Sequence, residues 1–335
     1  MRKMRSEVYN QSTCIVSQAA YQYYVEERTR AEISENLGLS SPTISRLLKR
    51  AKKEGIIEFK MTEPYLTCYQ IQEELQESCG LKSVIVVPIT EDETKENEES
   101  IKKQVALEGA RYLQRMIKDG DTVGLGWGGT MYHLIQYLNP CRKVNAGIVT
   151  MHGDIAGCNP KLDAKTLVRR AAMAFGGRNV SIVAPGLYTS VGEVERIKEQ
   201  KNCQEIFDLF EQIDMSVSGV GSLYPDFDSP LATLNYLNQE EMEVLKKEGV
   251  YSDILLRFLK KDGQECDTSL RDRTLAISLE TYKKIPCKIV VASGRKKALS
   301  VDTILKGGLV DVLVMDYHLA QELMKLRQMN ENETA

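Results

Sequence analysis

The sequence predicts an α/β protein with an N-terminal helix-turn-helix domain and a larger domain built on a doubly wound, mostly parallel sheet. Short runs rich in valine and isoleucine, such as KIVVAS (288–293) and VDVLVMD (310–316), alternate with segments of helical periodicity. Nearly continuous apolar strands of this kind are typical of parallel sheets covered by helices on both faces. A basic segment with its own helix signals precedes them. We therefore expect a DNA-binding domain at 1–60, a connecting or dimerising helix in 61–80, and a ligand-binding domain at 81–335.

The two domains differ in charge. Residues 1–60 carry 11 Lys/Arg and 7 Asp/Glu, a formal charge of +4, whereas the whole chain is at −3, so the remainder is at −7. A basic head on an acidic body predicts that only the head meets a polyanion. The sequence has no apolar run of membrane-spanning length, no secretory signal and no C-x-x-C pair among its eight cysteines. These features predict a cytoplasmic protein with reduced thiols, no membrane segment and no metal site.

The head has the signals of two helices joined by a tight turn. Thr29 and Glu32 have the spacing of a capping box, and Gly38 suits the left-handed conformation that ends a helix. Ser41 can cap a second helix that has Pro42 at its first position. The apolar positions of that helix predict a buried stripe at Ile44, Leu47, Leu48 and Ala51.

These two helices predict contact with double-stranded DNA. A further helix at about 10–25 would complete a three-helix core, and the run 56–59 has the pattern of a wing strand. In this arrangement the second helix enters the major groove, where its first turn faces base edges and its basic residues contact phosphates. The residues expected to contact DNA are the polar positions of that helix, namely Ser41, Thr43, Ser45, Arg46, Lys49 and Arg50. An amphipathic hairpin with solvated charges is the alternative, and the caps, length and charge together favour DNA binding.

Five predicted strands of the larger domain are followed by loops that contain glycine. The first loop is GLGWGGT (124–130), which also has the G-x-G-x-x-G spacing of dinucleotide-binding proteins. The other loops contain Gly153, Gly186, Gly219 and Gly294. Ligands of parallel α/β sheets bind at the carboxyl ends of the strands, and exposed amides at a helix start can hold an anion. These loops therefore predict a small-molecule pocket with an anion site.

The candidate ligand contacts come from these loops and from two charged residues. Asp253 and Lys297 can supply an acceptor and a cation for a phosphorylated polyol, or can be a turn cap and a solvated residue. Trp127 can stack on a sugar or fill the pocket floor, and His152 can be a contact or a packing residue. The loop residues in the candidate set are Gly126, Trp127, Gly128, Gly129, Thr130, His152, Gly153 and Asp154. The other two histidines, His133 and His318, lie in helical runs and are expected to be structural.

The order of these motifs resembles the SorC family of bacterial transcriptional regulators. The segments that carry the resemblance are the basic helix-turn-helix, TVGLGWGGT, DMSVSGVGSL, GVYSDILLRFLKKDG and VVASGRKKALSVDTILKGGLVDVLVMDYHLA, and they span about Tyr23 to Leu323. The resemblance implies a body similar in fold to sugar-phosphate isomerases and deaminases that serves as a sensor, typically of phosphorylated sugars or glycolytic intermediates. It also implies phosphate contacts at Gly128, Gly129 and Thr130, sugar contacts around Gly153 and Asp154, and polar contacts from Asp253 and Lys297. Asp154 departs from the glycine common in the family, and an acidic residue there predicts an atypical or unphosphorylated effector.

The sequence thus predicts a DNA-binding regulator whose C-terminal domain binds a sugar or sugar-phosphate effector that modulates operator binding. We expect a homodimer or homotetramer without a cofactor and without catalysis, because no nucleophile–histidine–acid set or metal motif is visible in the sequence. The alternative is a sugar-phosphate isomerase or an NAD-dependent enzyme with a nucleic-acid-binding module. In favour of NAD, Asp154 follows a predicted strand 25 residues beyond Gly129, near the position of a ribose-binding acid.

Overall fold

The computed structural model describes residues 12–90, 98–227, 229–233 and 236–334. The chain divides into two units, with the boundary between Thr62 and Glu63. The charged run 91–100 has the composition of a solvated loop. Residues 91–97 of this run lie outside the described residues, and its last three residues begin a helix.

The described part of the smaller unit consists of three helices around a small apolar core. They are α1 (Thr13–Tyr24), α2 (Arg30–Leu37) and α3 (Ser41–Lys53). The buried residues of this core come from all three helices and are Val16, Ala19, Ala20, Ile33, Ile44, Leu47, Leu48 and Ala51. The predicted buried stripe of α3 is therefore confirmed.

Both ends of α2 follow the signals in the sequence, whereas the start of α3 differs by one residue. The Thr29 hydroxyl accepts a hydrogen bond from the Glu32 N–H at 3.3 Å, and the Thr29 N–H donates to the Glu32 carboxylate at 2.7 Å. Gly38 ends α2 at φ 63°, in the left-handed region that glycine adopts without strain.

The cap of α3 is Ser40 and not Ser41, so the prediction was wrong by one residue. The Ser40 hydroxyl bonds to the Thr43 hydroxyl at 2.8 Å, and Pro42 lies in the first turn.

Residues 56–59 do not form the predicted wing strand. Ile56 and Ile57 pack against the helical core, and the Phe59 ring lies edge-on to Tyr24 with centroids 5.3 Å apart. Strand backbone needs a partner strand for its N–H and C=O groups, and the described part of the smaller unit offers none. The segment therefore extends the apolar core of the three helices instead of pairing as a strand.

The larger unit contains two sheets in the part of the chain that the structure describes. The strands are β1 (Ser83–Val87), β2 (Thr122–Leu125), β3 (Gly147–Thr150), β4 (Arg178–Val180), β5 (Met215–Ser218), β6 (Gly221–Ser222), β7 (Val250–Ile254), β8 (Arg257–Lys260), β9 (Cys287–Ala292) and β10 (Val312–Asp316). Seven strands form a sheet in the order β1-β10-β9-β5-β2-β3-β4, and every neighbouring pair is parallel. The other three form an antiparallel sheet in the order β6-β7-β8. The predicted α/β class with a mostly parallel sheet is confirmed.

The described helices of the larger unit cover both faces of the parallel sheet and also pack on the antiparallel sheet. They are α4 (Tyr65–Cys79), α5 (Glu98–Met116), α6 (Gly129–Gln136), α7 (Ala164–Phe175), α8 (Val191–Lys198), α9 (Lys201–Phe210), α10 (Pro230–Thr233), α11 (Gln239–Lys247), α12 (Ser269–Arg273), α13 (Leu279–Lys284), α14 (Ala298–Lys306) and α15 (Tyr317–Thr334), with a 3₁₀ turn at Arg295–Lys297. Successive strand residues enter opposite cores. Ile289 and Val291 pack with α5, α6 and α7, whereas Val290 and Ala292 pack with α4, α14 and α15. This alternation follows from the two-residue period of a strand.

The helix predicted in residues 61–80 is α4. Cys68, Ile71 and Leu75 on this helix join the same core as Val84 and Val86 of β1. Burial of these side chains fixes α4 as a layer of the larger unit. None of the described helices is long and apolar enough to cross a membrane.

The order of the strands creates one topological switch point. From β2 the chain moves outwards to β3 and β4, and it then returns to β5 on the other side of β2 before moving on to β9 and β10. The connections of β2 and β5 therefore run in opposite directions and leave a crevice at the carboxyl ends of these two strands. In open α/β sheets such a crevice is where ligands bind.

Candidate functional site

A cavity of about 650 Å³ lies at this switch point. Its described lining comes mainly from the loops that follow β2, β5 and β9, at 126–130, 218–222 and 293–297. Asp316 and His318, at the end of β10 and the start of α15, also line it, and the first turn of α5 and the turn between β7 and β8 complete the wall. Four parallel strands therefore direct their carboxyl ends at one space.

The start of α6 forms one edge of this cavity, named here the anion-binding edge because its geometry suits an anion. Gly128 has φ 100°, a conformation that favours glycine, and α6 begins at Gly129. The N–H groups of Gly129, Thr130 and Met131 lie in the first turn and have no acceptor within the helix. The Gly128 N–H already donates to the Leu162 carbonyl at 3.2 Å. An anion at this edge would therefore be held by the amides after Gly128, helped by the helix dipole.

Lys102 brings a cation to the same edge. Its Nζ lies 3.9 Å from the position that a Cβ on Gly129 would occupy, and it forms an ion pair with Glu99 at 2.8 Å. No pattern in the sequence pointed to Lys102, because it comes from α5, which precedes the glycine loop by a whole strand. A lysine near the start of a helix is not by itself a signal of ligand binding.

Asp253 is one of two buried acids in the described lining of the cavity, and Asp316 is the other. The Ser229 hydroxyl donates to its Oδ1 at 2.9 Å, and burial raises its pKa to about 6, against the opposing effects of Ser229 and Lys297. The Lys297 Nζ donates to the Val220 carbonyl at 2.9 Å. Gly221 pairs with Asp253 across the antiparallel sheet, and a Cβ on Gly221 would lie only 1.9 Å from Oδ1. The absence of a side chain at Gly221 makes the room that the carboxylate occupies.

Asp316 shapes the loop after β9. It is fully buried, and its two oxygens accept hydrogen bonds from the Gly294 N–H at 2.7 Å and the Leu319 N–H at 3.0 Å. Beside it, the Arg295 guanidinium lies 3.1 Å from Nδ1 of His318. Burial, followed by the Arg295 charge, lowers the pKa of His318. His318 was expected to be structural, whereas it lies on the cavity wall.

The predicted DNA-contacting residues fall into three groups on α3. Ser41, Arg46 and Lys49 are exposed. Thr43 and Ser45 are half-buried, and the Thr43 hydroxyl accepts from the Arg46 guanidinium at 3.3 Å. Arg50 is half-buried and donates to the Glu54 carboxylate at 2.6 Å. Ser41, Arg46 and Lys49 thus offer the most accessible surface.

Comparisons with known proteins agree on both units. A family model described as "Putative sugar-binding domain" matches residues 63–325, and a "Winged helix-turn-helix DNA-binding" model matches residues 27–58. The chain belongs to the SorC family of sugar-responsive transcriptional regulators. The predicted family and function, a DNA-binding regulator with a sugar-binding domain, are confirmed.

Individual relatives of this SorC-family chain match it over nearly its whole length. The deoxyribonucleoside regulator of Bacillus subtilis strain 168 is 28% identical over 308 residues, which cover 92% of this chain and 96% of that protein. The sorbitol operon regulator of Klebsiella pneumoniae is 26% identical over 315 residues, covering 93% and 98%. The crystal structure of full-length SorC from Klebsiella pneumoniae has a TM-score of 0.71 at 24% identity, covering 93% of this chain and 100% of that one.

Three residues of the candidate ligand-contact set do not line the cavity: His152, and the two that the SorC resemblance implied, Gly153 and Asp154. His152 is buried, its ring bonds to the Gly153 carbonyl at 2.8 Å, and burial lowers its pKa. A Cβ on Gly153 would lie 2.6 Å from the Ala184 carbonyl oxygen. Asp154 pairs with Lys165 at 2.7 Å. The physical reason is strand order: β3 lies beyond β2, away from β5, so the loop after β3 packs on the loop after β4 instead of facing the switch point.

The glycines of the G-x-G-x-x-G pattern have different roles in this SorC-family structure, and the acid that would complete a dinucleotide site lies elsewhere. Gly124 lies inside β2, where a Cβ would come within 2.6 Å of the Met151 sulfur, so packing requires this glycine. Gly126 and Gly129 line the cavity, but Asp154, the candidate ribose-binding acid, does not. Among the described residues, no cluster of three or more His, Cys, Asp or Glu side chains is arranged to hold a metal.

Proposed function

We propose that the cavity binds a phosphorylated sugar or polyol, and that this ligand modulates operator binding by the helix-turn-helix unit. The observation that carries the proposal is the pairing of an anion-binding edge with a hydroxyl-binding acid in one cavity. The start of α6 and Lys102 suit a phosphate, and the Asp253 carboxylate suits sugar hydroxyls. Asp154 no longer argues against a phosphate, because it lies outside the cavity lining and is paired with Lys165.

We further propose that the ligand is bound and not converted. The Asp316 carboxylate already accepts two backbone N–H groups, which suits a structural role. Asp253 is the one residue of the described lining that favours catalysis, because a buried carboxyl with a pKa of about 6 is suited to general acid–base catalysis. Sugar-phosphate isomerisation at Asp253 is therefore the second candidate function, and it would be seen as turnover by nuclear magnetic resonance.

Coupling between the two units requires that the ligand bind one conformational state more tightly than another. Operators read by helix-turn-helix proteins have two half-sites, so we propose at least a homodimer, with a homotetramer as the larger assembly. We place the protein in the cytoplasm, where bacterial operator DNA lies.

A thermal-shift screen on the full-length chain tests the proposed ligand class. The panel contains sugar phosphates, the matching unphosphorylated sugars, and NAD. A ligand that binds only the folded state raises the unfolding midpoint, and we expect this rise with a sugar phosphate but not with its sugar or with NAD. A rise with NAD alone, or turnover of the sugar phosphate, would favour an enzyme.

Replacing Arg46 with alanine should weaken operator binding about tenfold, because a major-groove contact contributes roughly 1–3 kcal/mol. Arg46 is exposed on α3, so the variant should fold normally. Fluorescence anisotropy with the operator upstream of its own gene measures the affinity. Lys60→Ala is the matched control, since it removes one exposed charge from the same unit outside α3. Equal affinities of the two variants would refute the assignment of α3 as the recognition helix.

A further inference from the structure

A chain of charged side chains adjoins the anion-binding edge of the cavity. Glu99, in the first turn of α5, has one carboxylate oxygen 2.8 Å from Nζ of Lys102 and the other 2.5 Å from Nε2 of His133 on α6. Lys102 lines the cavity, whereas Glu99 and His133 are not part of its described lining. Glu99 therefore has two partners, and only one of them faces the ligand space.

The protonation of this chain follows from its hydrogen bonds. The hydrogen bond from Lys102, together with that from His133, holds the pKa of Glu99 below its usual range, so the carboxylate is ionised and can only accept. The imidazole of His133 must therefore donate its Nε2–H to Glu99. As a result Glu99 keeps one hydrogen-bond donor even when Lys102 moves away.

Lys102 is suited to exchange partners. Its ammonium group is a compact charge with three rotatable donors on a flexible stem, and it already lies beside the first turn of α6. A phosphate group carries about −1.5 to −2 charge at neutral pH and offers three acceptor oxygens. A single carboxylate such as Glu99 competes poorly with it, whereas an uncharged sugar offers Lys102 nothing comparable.

We propose that Lys102 is the residue that makes this site select phosphorylated ligands, and that Glu99 is its counter-ion in the empty site. When ligand binds, Lys102 turns from Glu99 to the phosphate, and His133 keeps the Glu99 carboxylate hydrogen-bonded. This inference rests on the proposed function, since it places the phosphate of the ligand at the start of α6. Its consequence is that Glu99 competes with the ligand for Lys102, so neutralising Glu99 should strengthen binding.

Calorimetric titration of the full-length chain with inorganic phosphate, and with acetate as a monoanion, tests the exchange. Lys102→Met should weaken phosphate binding about tenfold or more, since hydrogen bonds between charged groups contribute roughly 1.5–3 kcal/mol. Lys103→Met is the matched control, because Lys103 is exposed on the same helix outside the cavity lining, and it should bind as the wild type does. Glu99→Gln should tighten phosphate binding several-fold and acetate binding by less, because acetate offers Lys102 only a single charge.

A double-mutant cycle separates this exchange from simple attraction. In the Lys102→Met background, Glu99→Gln should no longer change phosphate affinity, because the competition for Lys102 is gone. If Lys102→Met binds phosphate as tightly as wild type, or if Glu99→Gln weakens binding, this inference is wrong while the proposed ligand class stands. If the wild-type chain binds neither phosphate nor any sugar phosphate, the proposed function fails and this inference fails with it.

Discussion

Replacing Gly221 with alanine is expected to abolish ligand binding and to lower the free energy of unfolding by about 1–3 kcal/mol, the usual cost of overpacking a buried site. The new Cβ would lie 1.9 Å from Oδ1 and 2.6 Å from Cγ of Asp253. Asp253 is buried and is held by the Ser229 hydroxyl, so its carboxylate can avoid the new Cβ only by breaking that hydrogen bond and turning into the ligand cavity. Chemical unfolding and calorimetric titration with a sugar phosphate would measure the two effects.

Two further variants test whether this clash is the cause. Asp253→Ala in the Gly221→Ala background removes the colliding atoms, so most of the lost stability should return while ligand binding stays absent. Gly192→Ala is the matched control, since Gly192 is exposed in α8 and its Cβ would have nothing within 4 Å. That change should leave stability unaltered or raise it by up to about 1 kcal/mol. Wild-type stability in the Gly221→Ala protein would contradict the close pairing of Gly221 with Asp253.

Replacing Asp253 with asparagine should move stability and ligand binding in opposite directions. Burial raises the pKa of Asp253 from 3.8 to about 6, so the folded chain holds this proton more tightly than the unfolded chain does. The stabilisation from that proton is complete below about pH 4 and is lost as the pH rises through about 6. At pH 7.5 the neutral amide avoids the cost of a buried charge, and we expect the variant to be more stable by about 1–3 kcal/mol. The difference should shrink towards zero near pH 4, as urea unfolding at several pH values would show.

The same variant should bind a sugar phosphate at least about tenfold more weakly at pH 7.5, because a charged acceptor for the sugar hydroxyls is lost. Binding of inorganic phosphate should change little, since the phosphate is expected at the start of α6. Lower stability than wild type across the whole pH range would show that Asp253 is not a strained buried acid. Equal loss of sugar-phosphate and phosphate binding would show that its effect is not confined to the sugar.

The sequence predicted the parts of the site that follow strands close to the switch point. The glycines after β2, together with Thr130 and Lys297, line the cavity because β2 and β9 end beside it. Asp253 was also predicted, although the strand pair β7 and β8 that positions it was not. A tight turn joins these two strands, in which Leu255 and Leu256 have positive φ. Local sequence patterns were sufficient to predict lining residues wherever a strand ends beside the cavity.

The rest of the site depends on the spatial order of the strands, which periodicity does not encode. His152 and Asp154 follow a strand as clearly as Trp127 does, yet β3 lies on the far side of β2 from β5. Lys102 reaches the cavity from a helix start, and Ser229 reaches it from a loop without any regular pattern. These positions become visible only when the order β9-β5-β2 is known.

The cavity is assembled from segments far apart in the chain, from the start of α5 to His318 near the end of the described residues. During synthesis on the ribosome, α1, α2 and α3 emerge before any wall of the cavity exists, and β10 emerges after all the other described strands. A chain whose translation stops before Val312 would lack both the Asp316 carboxylate that fixes the Gly294 loop and the strand that lies between β1 and β9. Such a product would carry the helix-turn-helix unit without a closed cavity, so formation of the cavity depends on translation through β10.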